Sequence, residues 1–204
     1  MTASFHLKFK AKVAIKTIPH FKNSKLTLTM SVLIAIASAH NTTTEIGQRI
    51  AARLATKIPG PVEVKAIADI PANEVANHSA VIVGSAIHMA NWLPPARKFI
   101  SQQRTALSER PVWAFSVGVP GTDEFAAKET AKMETEIRKS IPALRGHTLL
   151  YGRVEREQLA WPVALFFKWF PKNAKFGDFV EWDEVDKWAD KVGEDMKEVM
   201  QSSK

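Results

Sequence analysis

Apolar and polar positions fall into two rhythms that alternate along the chain. From Val32 to Ala37 every residue is apolar, a run too short for a buried helix and the right length for a strand covered on both faces. Small polar residues follow from Ser38 to Thr44, and then Ile46, Ile50 and Leu54 recur four apart, the apolar stripe of a helix. Ile58-Pro-Gly-Pro61 breaks the chain, and Val62 to Ile67 alternates as a strand at a sheet edge does. Ala80 to Gly84 is apolar throughout, which predicts a central third strand running into a loop over Ser85 to Asn91. A helix is expected from about Leu93, with Pro94 and Pro95 in its first turn and Ala96, Phe99, Ile100 and Leu107 facing the core. Pro111 to Val117 predicts a fourth strand emptying into the loop Gly118-Val-Pro-Gly121. Thr122 and Asp123 begin a helix with Phe125, Met133 and Ile137 inward and the i,i+4 pairs Glu124/Lys128 and Glu134/Arg138 outward. Thr148 to Gly152 predicts a fifth strand. The last helix, Asp183 to about Met200, carries Val185, Trp188, Ala189, Val192, Met196 and Val199 on one stripe.

Strands that alternate with helices imply a parallel sheet with helices on both faces. Such a sheet takes its ligands outside the carboxyl ends of the strands, where the winding reverses. Three segments at those ends carry unusual chemistry: 38–44, 85–92 and 116–121.

Charge and composition narrow the function. The net charge is +7 over 204 residues, which by itself suggests a nucleic-acid partner. Residues 1–30 hold six Lys and no acid, so the remainder has 22 basic and 21 acidic residues and is nearly neutral. The expectation is a basic N-terminal extension over residues 1–29, a domain over 30–204, and no nucleic-acid partner. The extension lacks Arg and a clean apolar core, so it fits neither a transit peptide nor a secretory signal well. There is no cysteine, which excludes disulfides, thiol catalysis and thiolate metal sites.

The turn after the first strand has the makings of an anion site. The first N–H groups of a helix lack partners within it, and the helix dipole favours negative charge there. Ser38, Thr42, Thr43 and Thr44 add hydroxyl donors. An ordinary capping box, Thr42-x-x-Glu45, explains the same residues without a ligand, and both readings stand at this point. The Walker and G-x-G-x-x-G patterns are absent, the strand ends carry no carboxylates for a magnesium ion, and no His pair has metal spacing. A hydroxyl loop without Lys suits one phosphomonoester, as in a mononucleotide such as FMN.

At these residues the sequence resembles the flavodoxin family. That family's phosphate loop runs Ser/Thr-x-Thr-Gly-x-Thr before a helix, and the matching positions here are Ser38-Ala-His40-Asn41-Thr42-Thr43, with His40 and Asn41 departing from the pattern. Asn tolerates the left-handed backbone that Gly would supply. The stretch from Val81 to Phe99, Trp113 to Gly118, Tyr151-Gly-Arg153 and Gly177 to Asp183 resemble, in order, the branch that includes menaquinone-dependent protoporphyrinogen dehydrogenase. The resemblance implies an α/β, flavodoxin-like, doubly wound five-stranded parallel sheet of order 2-1-3-4-5, with helices on both faces and an insert at about 153–181 after the fifth strand. It implies FMN as cofactor, with Ser38, His40, Asn41, Thr42 and Thr43 on the phosphate. Ser85, Ala86, Ile87, His88, Met89 and Trp92, with Ser116, Val117, Gly118, Val119 and Pro120, would then wrap the isoalloxazine. The chemistry would be the flavin's, with no catalytic side chain and no metal, in an oxidoreductase or electron-transfer protein with a redox partner or a quinone as acceptor. A flavodoxin-like binding module that has lost its flavin is the alternative, motivated by His40 and Asn41.

Within the insert, Leu159 to Phe170 carries one charge in twelve residues and is followed by Lys172 and Lys175. Segment 159–175 is too short to span a bilayer. It suits either an interface, including one in a homo-oligomer, or peripheral docking of Trp161, Phe166, Phe167, Trp169 and Phe170 on a membrane, with Lys168, Lys172 and Lys175 toward anionic lipid. The expected location is cytoplasmic or membrane-peripheral.

Overall fold

The apolar run at Val32–Ala37 is strand β1, and all of its residues are buried. A computed structural model describes residues 30–88, 91–119, 123–154 and 177–202 of the chain. Residues 1–29 and most of the insert, including 159–175, lie outside the described residues, as do Met89 and Pro120.

The elements follow in the order helix α1 (Thr42–Ala55), β2 (Val62–Ala66), β3 (Ala80–His88), β4 (Asn91–Trp92), α2 (Pro94–Gln102) and α3 (Arg104–Ser108). Next come β5 (Val112–Gly118), α4 (Asp123–Ser140), β6 (Leu144–Tyr151), β7 (Arg153–Val154), β8 (Gly177–Asp178) and α5 (Trp182–Ser202). The main sheet is parallel, in the order β2-β1-β3-β5-β6, with β4 antiparallel to β3 off one end. This is the doubly wound, flavodoxin-like architecture with helices on both faces. The expected edge position of β2 and central position of β3 hold.

Four local expectations change. The segment Ser85–Asn91 is not a loop: β3 continues to His88 and returns as β4, pairing Ile87 with Trp92 and His88 with Asn91. Extending β3 lets Ser85 and Ala86 pair with Ser116 and Val117 of β5. The helix expected from Leu93 through Leu107 is two helices, interrupted at Gln103, whose side-chain amide donates to the Ala72 carbonyl at 2.9 Å. The fifth parallel strand starts at Leu144 rather than Thr148, because backbone pairing carries it through Arg145, Gly146 and His147, where no apolar pattern signals a strand. Finally, Ile67 leaves its strand and opens a short 3-10 turn, Ile67–Asp69.

Alternation along each strand divides the core into two layers. Val32, Ile34, Ile36, Ile82 and Phe115 pack with Ile46, Ile50 and Leu54 of α1 and Val185, Val192 and Met196 of α5. Leu33, Ala35, Val81, Val83 and Ala114 face the other way, onto Phe99 and Ile100 of α2, Leu107 of α3 and Met133 and Ile137 of α4. Each fully buried Leu, Ile or Val contributes about 1.5–3 kcal/mol, so this double layer dominates the stability. Two bidentate ion pairs then fix α1 against α5. Arg49 grips Asp186 at 2.8 and 2.7 Å, and Arg53 grips Asp190 at 2.6 and 2.7 Å. The Arg53 guanidinium pulls the Asp190 carboxyl down to about 2.

Gly84 marks the tightest point of the first layer. It pairs across strands with Phe115, and a Cβ at this position would lie 2.2 Å from the phenyl ring, which also stacks edge-on against Trp188 at 5.8 Å. Gly84→Ala should therefore destabilise the fold by about 1–3 kcal/mol through overpacking. Chemical denaturation of Gly84→Ala, Phe115→Leu and the double variant checks this. The double variant is expected to be more stable than the sum of the two single losses predicts.

Candidate functional site

β1, β3 and β5 end side by side at one edge of the sheet, with Ala37, Ser85 and Ser116 in one row of the register. From there the chain of β1 passes through Ser38, Ala39 and His40 into α1. The residue that caps this helix is Asn41, not Thr42 as a capping box requires. Asn41 is left-handed, at φ 67° and ψ −24°, and is the one non-glycine residue with positive φ among the described residues. Its carbonyl accepts the N–H groups of Thr44 at 2.8 Å and Glu45 at 3.0 Å. Its side-chain amide donates to Glu45 Oε1 at 3.2 Å. Thr42 thus moves one place into the helix, and its hydroxyl caps nothing.

That shift leaves donors over. Thr42 Oγ1 and Ser38 Oγ are both buried with no hydrogen-bond partner. Among the described residues, the N–H groups of Ala39, His40, Asn41 and Thr43 also make no hydrogen bond. Thr43 is buried, while Ala39, His40 and Asn41 are exposed. A buried hydroxyl without a partner costs about 1–3 kcal/mol, and natural structures rarely leave one so. Two of them beside unpaired N–H groups at a helix N-terminus form a cradle for an anion with several acceptor oxygens. A phosphate monoester fits this donor set, and a carboxylate-bound metal does not.

The other two strand ends differ. Ser85 and Ser116 are fully buried but satisfied. Ser85 Oγ accepts the Leu93 N–H at 3.1 Å and donates to the Ala86 carbonyl at 2.8 Å, fastening the start of α2 to β3. Trp92 is buried in the second core layer, and its indole N–H donates to Ser116 Oγ at 2.7 Å. These side chains brace the β3–β4 hairpin against β5 from within. Around them, Ala86, Ile87 and Gly118 are half-buried, Val117 is buried, and His88 and Val119 are exposed. The structure therefore brings the three predicted segments to one edge, with Ser85, Trp92 and Ser116 directed inward.

Sequence reasoning missed His147. It lies on β6 with Nε2 at 2.8 Å from Ser116 Oγ, while Met133 Sδ is 3.1 Å from the same oxygen. The Ser116 hydroxyl accepts the indole N–H and lies within hydrogen-bond distance of both the imidazole and the thioether. Burial keeps His147 neutral, and its Nδ1 is buried without a partner. Burial pushes the imidazole down to about 4, against a smaller opposing pull from Glu134. No signal in the sequence marks it, since the stretch from Arg145 to His147 carries no apolar pattern.

A second cluster brings ligand atoms of Glu63, Glu74 and His78 within 4.8 Å of one another. Lys65 Nζ lies 3.0 Å from Glu63 and 2.5 Å from Glu74, so an ammonium already serves as the cation there. No described helix is long and apolar enough to cross a membrane.

Residues 33–172 match a family model described as a flavodoxin domain. No curated protein sequence matches the chain. The structure is similar to that of a flavodoxin from the domain Archaea, at 15% identity and a TM-score of 0.51, over 82% of this chain and 99% of that one. It is similar to the apo form of an NADH:FMN oxidoreductase, at 13% identity and a TM-score of 0.54, over 81% and 89% of the two chains. An azoreductase from Bacillus anthracis str. Sterne is similar at 10% identity and a TM-score of 0.53, over 80% of this chain and all of that one. At such identities the likeness is one of fold.

The buried imidazole gives stability a pH dependence of fixed sign. Above pH 6.5 His147 is neutral in both folded and unfolded chains. Between about 6.5 and about 4 the unfolded chain takes up a proton that the folded one refuses, so stability falls on acidification through this window. The full drop from this group is about 3 kcal/mol. Urea titrations at pH 7, 5.5 and 4 should show it, and His147→Gln should lose most of the slope over that interval.

Proposed function

The chain belongs to the flavodoxin-domain family, and on that footing we propose that it binds FMN and serves as an FMN-dependent oxidoreductase or electron-transfer protein. The observation that carries the proposal is the pair of buried, partnerless hydroxyls, Ser38 Oγ and Thr42 Oγ1, at the head of α1. When bound, the flavin would supply the hydride or electron transfer, so the chain itself needs no nucleophile, which agrees with its lack of cysteine.

The protein's part is to bind and orient. Ser38, Thr42 and Thr43, with the N–H groups around His40 and Asn41, would hold the phosphate. The isoalloxazine would lie along the edge formed by Ser85 to His88 and Ser116 to Val119. There, backbone groups and the outward side chains of Ile87, His88 and Val119 would contact it, while Ser85, Trp92 and Ser116 keep the wall rigid from behind. Met89 and Pro120 complete those two segments in the sequence and lie outside the described residues.

The narrower reading adds a quinone acceptor and a protoporphyrinogen-like substrate. Its support is the ordered set of stretches at 81–99, 113–118, 151–153 and 177–183. Against the porphyrin stands Val154-Glu-Arg-Glu-Gln158, where that branch carries an Arg- and Tyr-rich run. Peripheral membrane contact through 159–175 belongs to this narrower reading, and the liposome-binding segment it requires lies outside the described residues.

A visible spectrum of the purified protein, before and after addition of FMN, separates flavin binding from a module that has lost it. Flavin bands that stay with the protein on gel filtration are expected. Thr42→Val and Ser38→Ala should each weaken FMN by about 1–3 kcal/mol, the worth of a hydrogen bond to a charged group, and leave riboflavin binding unchanged. Because neither hydroxyl has a partner in the free protein, neither substitution should lower its thermal stability. Equal loss of FMN and riboflavin, or no loss of either, would remove these hydroxyls from the phosphate site.

A further inference from the structure

Asn41 occupies a backbone conformation that an L-residue other than Gly disfavours, and it does so in the middle of the proposed phosphate cradle. A chain of polar contacts leads away from it. Asn41 Nδ2 donates to Glu45 Oε1 at 3.2 Å, and Glu45 Oε2 lies 3.5 Å from the Arg153 guanidinium. Arg153 in turn reaches Asp178 Oδ2 with both Nε and Nη2 at 3.1 Å. The other oxygen of Asp178 accepts the Val180 N–H at 3.1 Å, and this bond, with the Arg153 guanidinium, holds the carboxyl below its usual range.

Arg153 and Asp178 face each other across the two-stranded β7–β8 stem. That stem is itself fastened beside the cradle. Gly152, just before it, donates to the Gly118 carbonyl at 2.9 Å and accepts from the Phe179 N–H at 3.2 Å, and a Cβ on it would lie 3.6 Å from Thr42 Cγ2. The relay therefore runs from the left-handed residue in the loop to the paired stem outside it. Arg153 and Glu45 expose only 28% and 33% of their side chains, so water screens their contact less than it does a fully exposed pair.

We propose that Arg153 is a positioning residue for the phosphate loop, holding Asn41 left-handed through Glu45 so that the hydroxyls of Ser38 and Thr42 and the neighbouring N–H groups converge. This rests on reading the loop as the FMN phosphate site. It explains how the chain dispenses with a glycine at the cap: the side-chain amide that replaces it is tied down, and the tie ends on the stem. Gly at this position would hold the same backbone unaided, so the relay matters only while Asn stands there.

The test is a double-mutant cycle of Arg153→Gln with Asn41→Gly, including Arg153→Lys as the conservative variant. Two quantities are read: the ratio of FMN to riboflavin affinity, and amide hydrogen exchange at Thr44 and Glu45 in the flavin-free protein. Arg153→Gln should weaken FMN about two- to fivefold, the range of a partly exposed ion pair, while riboflavin is unaffected. It should also speed exchange of those two amides, whose bonds to the Asn41 carbonyl depend on its conformation. Arg153→Lys should recover part of both effects. In the Asn41→Gly background Arg153→Gln should change neither quantity. An equal loss of FMN and riboflavin, or the same Arg153→Gln penalty in both backgrounds, would overturn the relay. A protein that takes up no flavin sinks the functional reading alone, because the exchange measurement in the free protein still decides the relay.

Discussion

Everything in this molecule follows from placing β1 where water reaches neither of its faces. A strand apolar on both sides cannot sit at an edge, so neighbours must pair with it on left and right, and helices must cover it above and below. The crossover helices make those neighbours parallel. Parallel strands end together, and the loops that leave Ala37, His88 and Gly118 are delivered to one edge whatever their own sequences prefer. The core, with Leu33 and Ile34 pointing to opposite layers, is thus also what assembles the site.

At that edge, four of the hydroxyl-bearing residues divide into two kinds. Ser85 and Ser116 have partners from the protein and act as internal fasteners, one for α2 and one for the indole of Trp92. Ser38 and Thr42 have none. All four hydroxyl oxygens are shut off from water, and the accounting of partners is what separates the fasteners from the two left over. The contrast also gives Trp92 a structural place: an aromatic whose polar edge is spent inside the protein, on Ser116.

Much of this was legible in the sequence. Runs such as Val32–Ala37 and the spacing of Ile46, Ile50 and Leu54 report burial directly, and burial is what decides the fold. The segments that gather at the edge were legible for the same reason, since they are what lies between such runs. The parts that were not legible depend on pairing between distant backbones. Ser85 and Ala86 are extended because β5 pairs with them, Ile87 and His88 because β4 folds back on them, and Gly146 and His147 join β6 by pairing with β5, although none of these stretches has a strand pattern of its own. The cap went to Asn41 rather than Thr42 because the choice turns on a single backbone angle, while Thr42-x-x-Glu45 satisfies the capping pattern equally well on paper. His147 could not be read at all, because its meaning lies in Ser116, 31 positions away.

The two arginine clamps between α1 and α5 carry a consequence for the order in which the molecule is made. Arg49 and Arg53 are separated from Asp186 and Asp190 by 137 residues of chain. Closing so long a loop carries a heavy entropic cost before any contact can repay it. On a ribosome, the sheet strands and the loop over residues 38–44 emerge well before α5 does. Until α5 arrives, the outer side of α1, with Ile50 and Leu54, has no permanent cover, and the cradle at the head of that helix is no firmer than the helix itself. A firm helix α1, and with it a firm loop over residues 38–44, is therefore a late event in synthesis, gated by α5, and a nascent chain that holds every strand but not α5 would still be an unfinished, exposed sheet.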